Sequence, residues 1–433
     1  LAAVLLTLGV PAGVTTGVIT LAGNSVAQTI DLAGSANKPG FHQPGARRNM
    51  ILHGEHLFAV VIQRDGAVQI RRKVNDTTSG WATLVSAVNT ENTGIGTRPT
   101  TSVAMCVTGS GCLHITWGRY YYPGYFHQYY RAYKIGTGFA HTTPQDITAM
   151  VGATTRVRTD SNAIATGRDD EVYMTAQIPG KGWQSQLLQS QFTGCPDAKT
   201  APRWAKRGAI SANGSSSSNV RMAVDTGGRV QLSFYNNSGR GRYATRVFSS
   251  PGTWSAMAFI GNPISSPGHD ESGYLATDFS DYTHVIYRHM VSKVGSLVTY
   301  QLLYRRRYAT NAWSAPIVVD TFTNRAAGSN NTRDGFAISA SLKGDRVFAI
   351  HRDYSSGRLM VKQKKFGDPG FTRLACLQPA SSADSDYYMP CVRNTLYPIR
   401  AGRARFLDIS FRRRVGSSYR LYHQRLDVGT IGR

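Results

Sequence analysis

One strand pattern recurs along nearly the whole chain, and a fold has to be built from its repetition. The second strand of each unit begins at Leu57 (LFAVVI), Leu113 (LHITW), Val172 (VYMTA), Val230 (VQLSF), Thr283 (THVIY), Val347 (VFAIH) and Phe406 (FLDISF). Successive starts are separated by between 53 residues (Val230 to Thr283) and 64 residues (Thr283 to Val347). These β-branched and aromatic runs alternate with polar turns, as strands of a meander do. A third strand recurs behind them as QIRR, YYRA, YATR, LYRR, VKQK and LYHQR, and an aromatic follows its basic residue at a narrow offset. The pairs are Arg71 and Trp81, Arg131 and Phe139, Arg246 and Trp254, Arg305 and Trp313, and Lys362 and Phe371. The unit near Ser185 lacks the basic residue.

A repeated meander cannot bury both faces alone and must stack on its neighbours. Radial stacking of about four strands per unit makes a β-propeller. The expectation is therefore an all-β, seven-bladed β-propeller with about four antiparallel strands per blade over residues 49–433. A solenoid is the alternative, but no LxxL ladder or helix-period segment appears. Trp81, Trp254 and Trp313 should occupy equivalent outer turns and cover the gaps between blades.

Residues 1–28 are free of charge, apolar, and end in the small-x-small pattern Ser25-Val26-Ala27. They read as a secretory signal peptide whose start is missing, with a membrane anchor as the alternative. Residues 29–48 read as a lead-in, part of which could supply the closing strand of the last blade. Ser-rich 213–219 reads as a loose connection. The five cysteines fit export. Cys106 with Cys112, and Cys376 with Cys391, are expected as short-range disulfides, with Cys195 left over. No CxxC or HExxH spacing suggests zinc. No cofactor is expected, a structural calcium being the one open possibility.

Lys and Arg number 49 against 25 acids, for a net charge of +24. Such a field captures polyanions. In an exported chain without a nucleic-acid motif, the expected partner is an acidic polysaccharide rather than nucleic acid, and no membrane once the signal is removed; a monomer is expected. Salt should weaken such binding.

Chemistry in a propeller belongs at the channel mouth, where first strands start and second strands end. That face should carry His269, Arg288 and His289 from blade 5, Arg333, His351, Arg352 and Tyr354 from blade 6, and Arg119 with Tyr120 from blade 2. These residue types suit β-elimination from a uronic acid. An Arg offsets the carboxylate so that the C5 proton becomes acidic, a neutral His or Tyr removes it, and another such group protonates the leaving oxygen. Arg288, His289, His351 and Arg352 are expected to form one pocket, with His289 as base and Arg352 as carboxylate partner.

The pair His269 and His289, with an aromatic-Arg third strand (Tyr304-Arg305) behind it, resembles the His…His repeat of seven-bladed polysaccharide lyases, the ulvan lyases and their sialidase-like relatives. The resemblance implies a secreted lyase. VFSSPGTW (Val247 to Trp254) is similar to a degraded Asp-box of the BNR repeat, which keeps a sialidase-like glycoside hydrolase open. A non-catalytic lectin is the third reading.

Overall fold

The computed structural model describes residues 28–29 and most of 50–428. The longer stretches outside the description are 1–27, 30–49, 90–99, 153–161, 261–270, 326–335, 378–386, 397–405 and 429–433, with shorter loop pieces elsewhere. All of the signal-peptide reading but Gln28, and nearly all of the lead-in, fall there, as do His269, Arg333 and Tyr354.

The chain is an all-β propeller of four-stranded antiparallel blades. Among the described residues, six blades are each built from one contiguous stretch, blade 6 adding the short strand Thr395–Leu396 parallel to its first strand. They start at the first strands Met50–His53, Thr100–Val107, Ile164–Thr166, Ser217–Val224, Glu271–Thr277 and Phe336–Ser341 (blades 1 to 6), and each runs outward strand by strand. These first strands neighbour one another around the ring, so they are the innermost. The expectation of seven equivalent units is thereby corrected to six complete blades. The stretch counted as the seventh forms a composite sheet: Tyr387–Val392, Phe406–Val415 and Ser418–Asp427, with Gln28–Thr29 pairing on the last of these. A strand from the opposite terminus covers an edge that would otherwise offer unpaired N–H and C=O groups to another chain.

The period of two explains why the last unit is unlike the rest. In blades 1, 2, 5 and 6 the residues Ala59, Ile115, Val285 and Ala349 face the preceding unit, packing in clusters with Leu421, with Val60 and Ile70, with Ala223, and with Ile286 respectively. In the composite sheet Leu407, Ile409 and Phe411 face blade 6. The alignment on Phe406 is therefore one residue out, and a one-residue slip moves every side chain to the other face. That slip turns Asp408 toward blade 1. There it accepts from Arg425 Nε at 2.8 Å and lies 3.0 Å from His423 Nε2, all three fully buried. Arg425 also bonds Asn75 of blade 1, so a polar cluster joins the two ends of the ring.

In blades 2, 4, 5 and 6 the basic residue of the third strand is a clamp between blades. Arg131 donates to the Val88 carbonyl (2.7 Å), Arg246 to Ile210 (3.2 Å), Arg305 to Ile260 (2.7 Å) and Lys362 to Val319 (2.7 Å). Each acceptor lies where the preceding blade ends. The following aromatic covers the guanidinium, with Arg131 3.5 Å above Phe139, Arg246 4.5 Å above Trp254 and Arg305 5.6 Å above Trp313. Blade 3 has Leu188 at this register, buried against Trp204. Trp81, Trp254 and Trp313 each pack into a cluster shared with the preceding unit.

Two expectations fail. Ser217 begins the first strand of blade 4 and its hydroxyl accepts from the Ser185 N–H at 2.7 Å, so the Ser-rich stretch ends inside the core rather than in a loop. The disulfide joins Cys112 to Cys195, while Cys106 and Cys376 are free. Register is the reason: Cys106 lies opposite His114, two rows from Cys112, whereas the loop leaving the third strand of blade 3 brings Cys195 against blade 2. Neither short-range bridge forms. Among the described residues no helix is long and apolar enough to cross a membrane, and no cluster of His, Cys, Asp and Glu could hold a metal ion.

Candidate functional site at the blade 5–blade 6 seam

The mouth is the face where first strands begin. Pairing puts Thr100 opposite Arg119, Glu271 opposite Arg288 and Phe336 opposite His351, so these three candidates stand at one level around the axis. All are buried, at 2, 1 and 2 % exposure. Strand alternation sets their directions. Arg119 continues the Ile115 and Trp117 face toward blade 1. Arg288 continues the Ile286 face toward blade 6, its guanidinium 4.1 Å above the Tyr300 ring. His351 continues the Val347 and Ala349 face toward blade 5. Arg288 and His351 thus belong to the two sides of one seam. His289 and Arg352 alternate away from it: His289 is half-buried on the Val285 and Tyr287 face, and Arg352 sits at the strand end. Tyr120 lies at the end of its strand, and its side chain is outside the described residues.

A cleft of about 360 Å³ opens on the seam outside this row. Arg352, Lys362 and Arg373 line it with Asp320 and Asp353, and Phe322, Phe371 and Met360 supply apolar walls. Asp320 is the hinge of its electrostatics: one oxygen lies 3.1 Å from Lys362 Nζ and 3.1 Å from His351 Nε2. His351 Nδ1 is 3.2 Å from the Arg352 carbonyl. Carbonyl and carboxylate both only accept, so one ring nitrogen of a neutral His351 donates and the other meets an acceptor oxygen. Burial lowers the His351 pKa, with Asp320 opposing and Lys362 reinforcing the shift. At neutral pH the imidazole is uncharged.

The cleft therefore offers cations for an anionic group, apolar walls for a sugar ring, and two carboxylates. Asp320 and Asp353 were not singled out in the sequence, although a signal existed: acids are scarce in this chain, and Asp353 directly follows His351-Arg352. Arg221 was also missed. It is buried in the first strand of blade 4, 3.3 Å from the Tyr274 hydroxyl and 4.8 Å above its ring, and nothing in NVRMAV marks it out.

Fold and site together define a β-propeller with a cationic cleft beside its channel mouth. Its overall shape is similar to that of several solved propellers. The crystal structure of polysaccharide lyase Uly1 matches with a TM-score of 0.51 at 10 % identity, covering 94 % of this chain and 99 % of that one. A PL25 ulvan lyase matches at 0.55, and the same kind of enzyme bound to -[GlcA(1-4)Rha3S]- at 0.53, each at 10 % identity and covering 92 % of this chain and 94 % of theirs. At such identity the likeness shows the fold alone. No protein-family model and no curated protein sequence matches the chain.

Proposed function

We propose that this chain is a secreted carbohydrate-active propeller that cleaves an acidic polysaccharide at a uronic acid by β-elimination. The observation that carries the reading is the cleft, where Arg352, Lys362 and Arg373 face one opening on the seam that also holds the buried Arg288. Cations at this density, in a protein of net charge +24, favour a ligand with regularly spaced carboxylate or sulfate groups. The shape shared with ulvan lyases supports the same substrate class. Secretion is supported by the disulfide.

Arg352 binds and neutralises the uronate carboxylate, which acidifies the C5 proton. His351, directly before Arg352 and 3.1 Å from Asp320 of the cleft, removes that proton, and His269 or Tyr354 returns one to the leaving oxygen. Arg288, Arg119, Arg333 and Tyr120 hold the chain along the mouth, while His289, the base expected from the sequence, faces blade 4 and not the cleft. Replacing His351 by Gln should cut turnover of a glucuronate-containing sulfated polysaccharide by about a hundredfold while leaving folding intact. Unchanged turnover in His351→Gln would remove this site.

One observation favours a second reading. Asp320 and Asp353 line the same cleft, and most glycoside hydrolases work with such a pair, one as acid and one as base or nucleophile. In a hydrolase Asp320→Asn or Asp353→Asn is the variant that abolishes turnover, and His351→Gln is not.

A further inference from the structure

The same seam has a second opening at its far end, where the second strands begin rather than end. The pocket holds about 260 Å³ and is lined by Arg306, Tyr308, Lys364, Lys365 and Phe366 in front of His284 and Tyr304. Its rear wall is internally satisfied. His284 Nδ1 lies 2.8 Å from the Tyr304 hydroxyl and Nε2 lies 2.9 Å from Asp278, which in turn accepts from the Ser280 and Tyr282 N–H groups.

The front is different. The Arg306 guanidinium sits among the rings of Tyr282, Tyr308 and Phe366, at 4.8, 4.7 and 5.0 Å, and donates to the Tyr308 hydroxyl at 3.3 Å. Among the described residues no carboxylate forms an ion pair with Arg306, Lys364 or Lys365. Lys364 donates to the Asp368 and Lys365 carbonyls, and Asp368 accepts from the Lys365 backbone N–H. Burial lowers the Lys364 pKa, with Asp368 opposing the shift and Arg306 adding to it. Phe366 is 67 % exposed, unlike Phe139 in the blade 2 clamp, and nothing in the core requires it.

We propose that this far-rim pocket is a second saccharide-binding site, taking one anionic sugar ring with its sulfate or carboxylate among Arg306, Lys364 and Lys365 and its apolar face on Phe366. The anion supplies the charge the three cations lack, and charge-assisted bonds to it are the strong ones. The volume is below the roughly 300–1,000 Å³ usual for drug-sized ligands, which limits the site to a single ring of a longer chain. The inference rests on the acidic-polysaccharide reading and extends it: the polymer is held on both faces of one seam.

Calorimetric titration of the full chain with chondroitin sulfate and with its desulfated form tests this. Phe366→Ala and the double variant Lys364→Gln/Lys365→Gln should each weaken binding about tenfold. The double variant Lys181→Gln/Arg203→Gln, which removes two exposed charges elsewhere, should change it far less. Loss confined to the sulfated form identifies a sulfate as the anchored group; loss with both forms identifies the carboxylate. Equal weakening by the two double variants would mean only a diffuse field and overturns the site. So does unchanged binding in Phe366→Ala and Lys364→Gln/Lys365→Gln while Arg352→Gln weakens it, and that result leaves the mouth reading standing. No binding by the unaltered protein overturns both.

Discussion

Arg131 and its counterparts show how one side chain does two jobs in this fold. The guanidinium of Arg131 ties blade 2 to the Val88 and Thr142 carbonyls while its face lies on Phe139. Removing it strands buried acceptors and opens a gap, so Arg131→Ala should lower stability by about 2–3 kcal/mol in urea unfolding. The wild-type value in the variant would show the clamp to be idle. Histidines set the pH response. His114 lies 2.7 Å from the Tyr130 hydroxyl, and burial lowers its pKa to about 3, against partial opposition from the Gly194 backbone and Asp170. The folded pKa is below the unfolded one, so this stability is present above about pH 6.5 and is lost as pH falls toward 3. Its loss reaches about 1.4 kcal/mol per pH unit inside that window. His114→Gln should flatten the unfolding free energy between about pH 6 and 4; an unaltered slope would place the effect in His141, His351 and His423, which are lowered in the same direction. The basic residues were legible in the sequence, but their destination was not. QIRR and LYRR read only as recurring basic third strands, whereas Arg71, Arg305 and Arg307 are turned into the molecule by alternation and stack on or bond to their own fold.

Strands and their connections were read well where the period of two was unbroken. LHITW and THVIY fall within second strands, and the basic-aromatic offset became a clamp. Reading failed where contacts span blades. Cysteine spacing cannot show that the loop after Ser190 reaches blade 2, and so it favoured neighbours in sequence over Cys112 and Cys195, 83 residues apart. A link across so long a loop removes much unfolded-state entropy. Cys195→Ser should therefore cost about 4 kcal/mol, measured by thermal or denaturant unfolding of oxidised protein. A variant as stable as the parent would mean that the blade 2–blade 3 contact holds without the bridge. The last unit was misaligned for a related reason: its one-residue slip conserves the strand signal while exchanging the faces.

At the scale of the molecule the sequence yielded the propeller because a repeat constrains the whole ring, and it located the mouth because topology fixes which strand ends meet. It did not yield the cleft, whose Asp320 and Arg373 come from outer strands that the reading treated as scaffold. The account's central claim is β-elimination from an acidic polysaccharide. It is tested most directly by incubating the full chain with a glucuronate-containing sulfated polysaccharide and following the ultraviolet absorbance of the unsaturated uronide together with new reducing ends. Both should rise in step, and the rise should be lost in His351→Gln. Reducing ends that appear without the absorbance, or neither signal from a protein that binds the polymer, would contradict it.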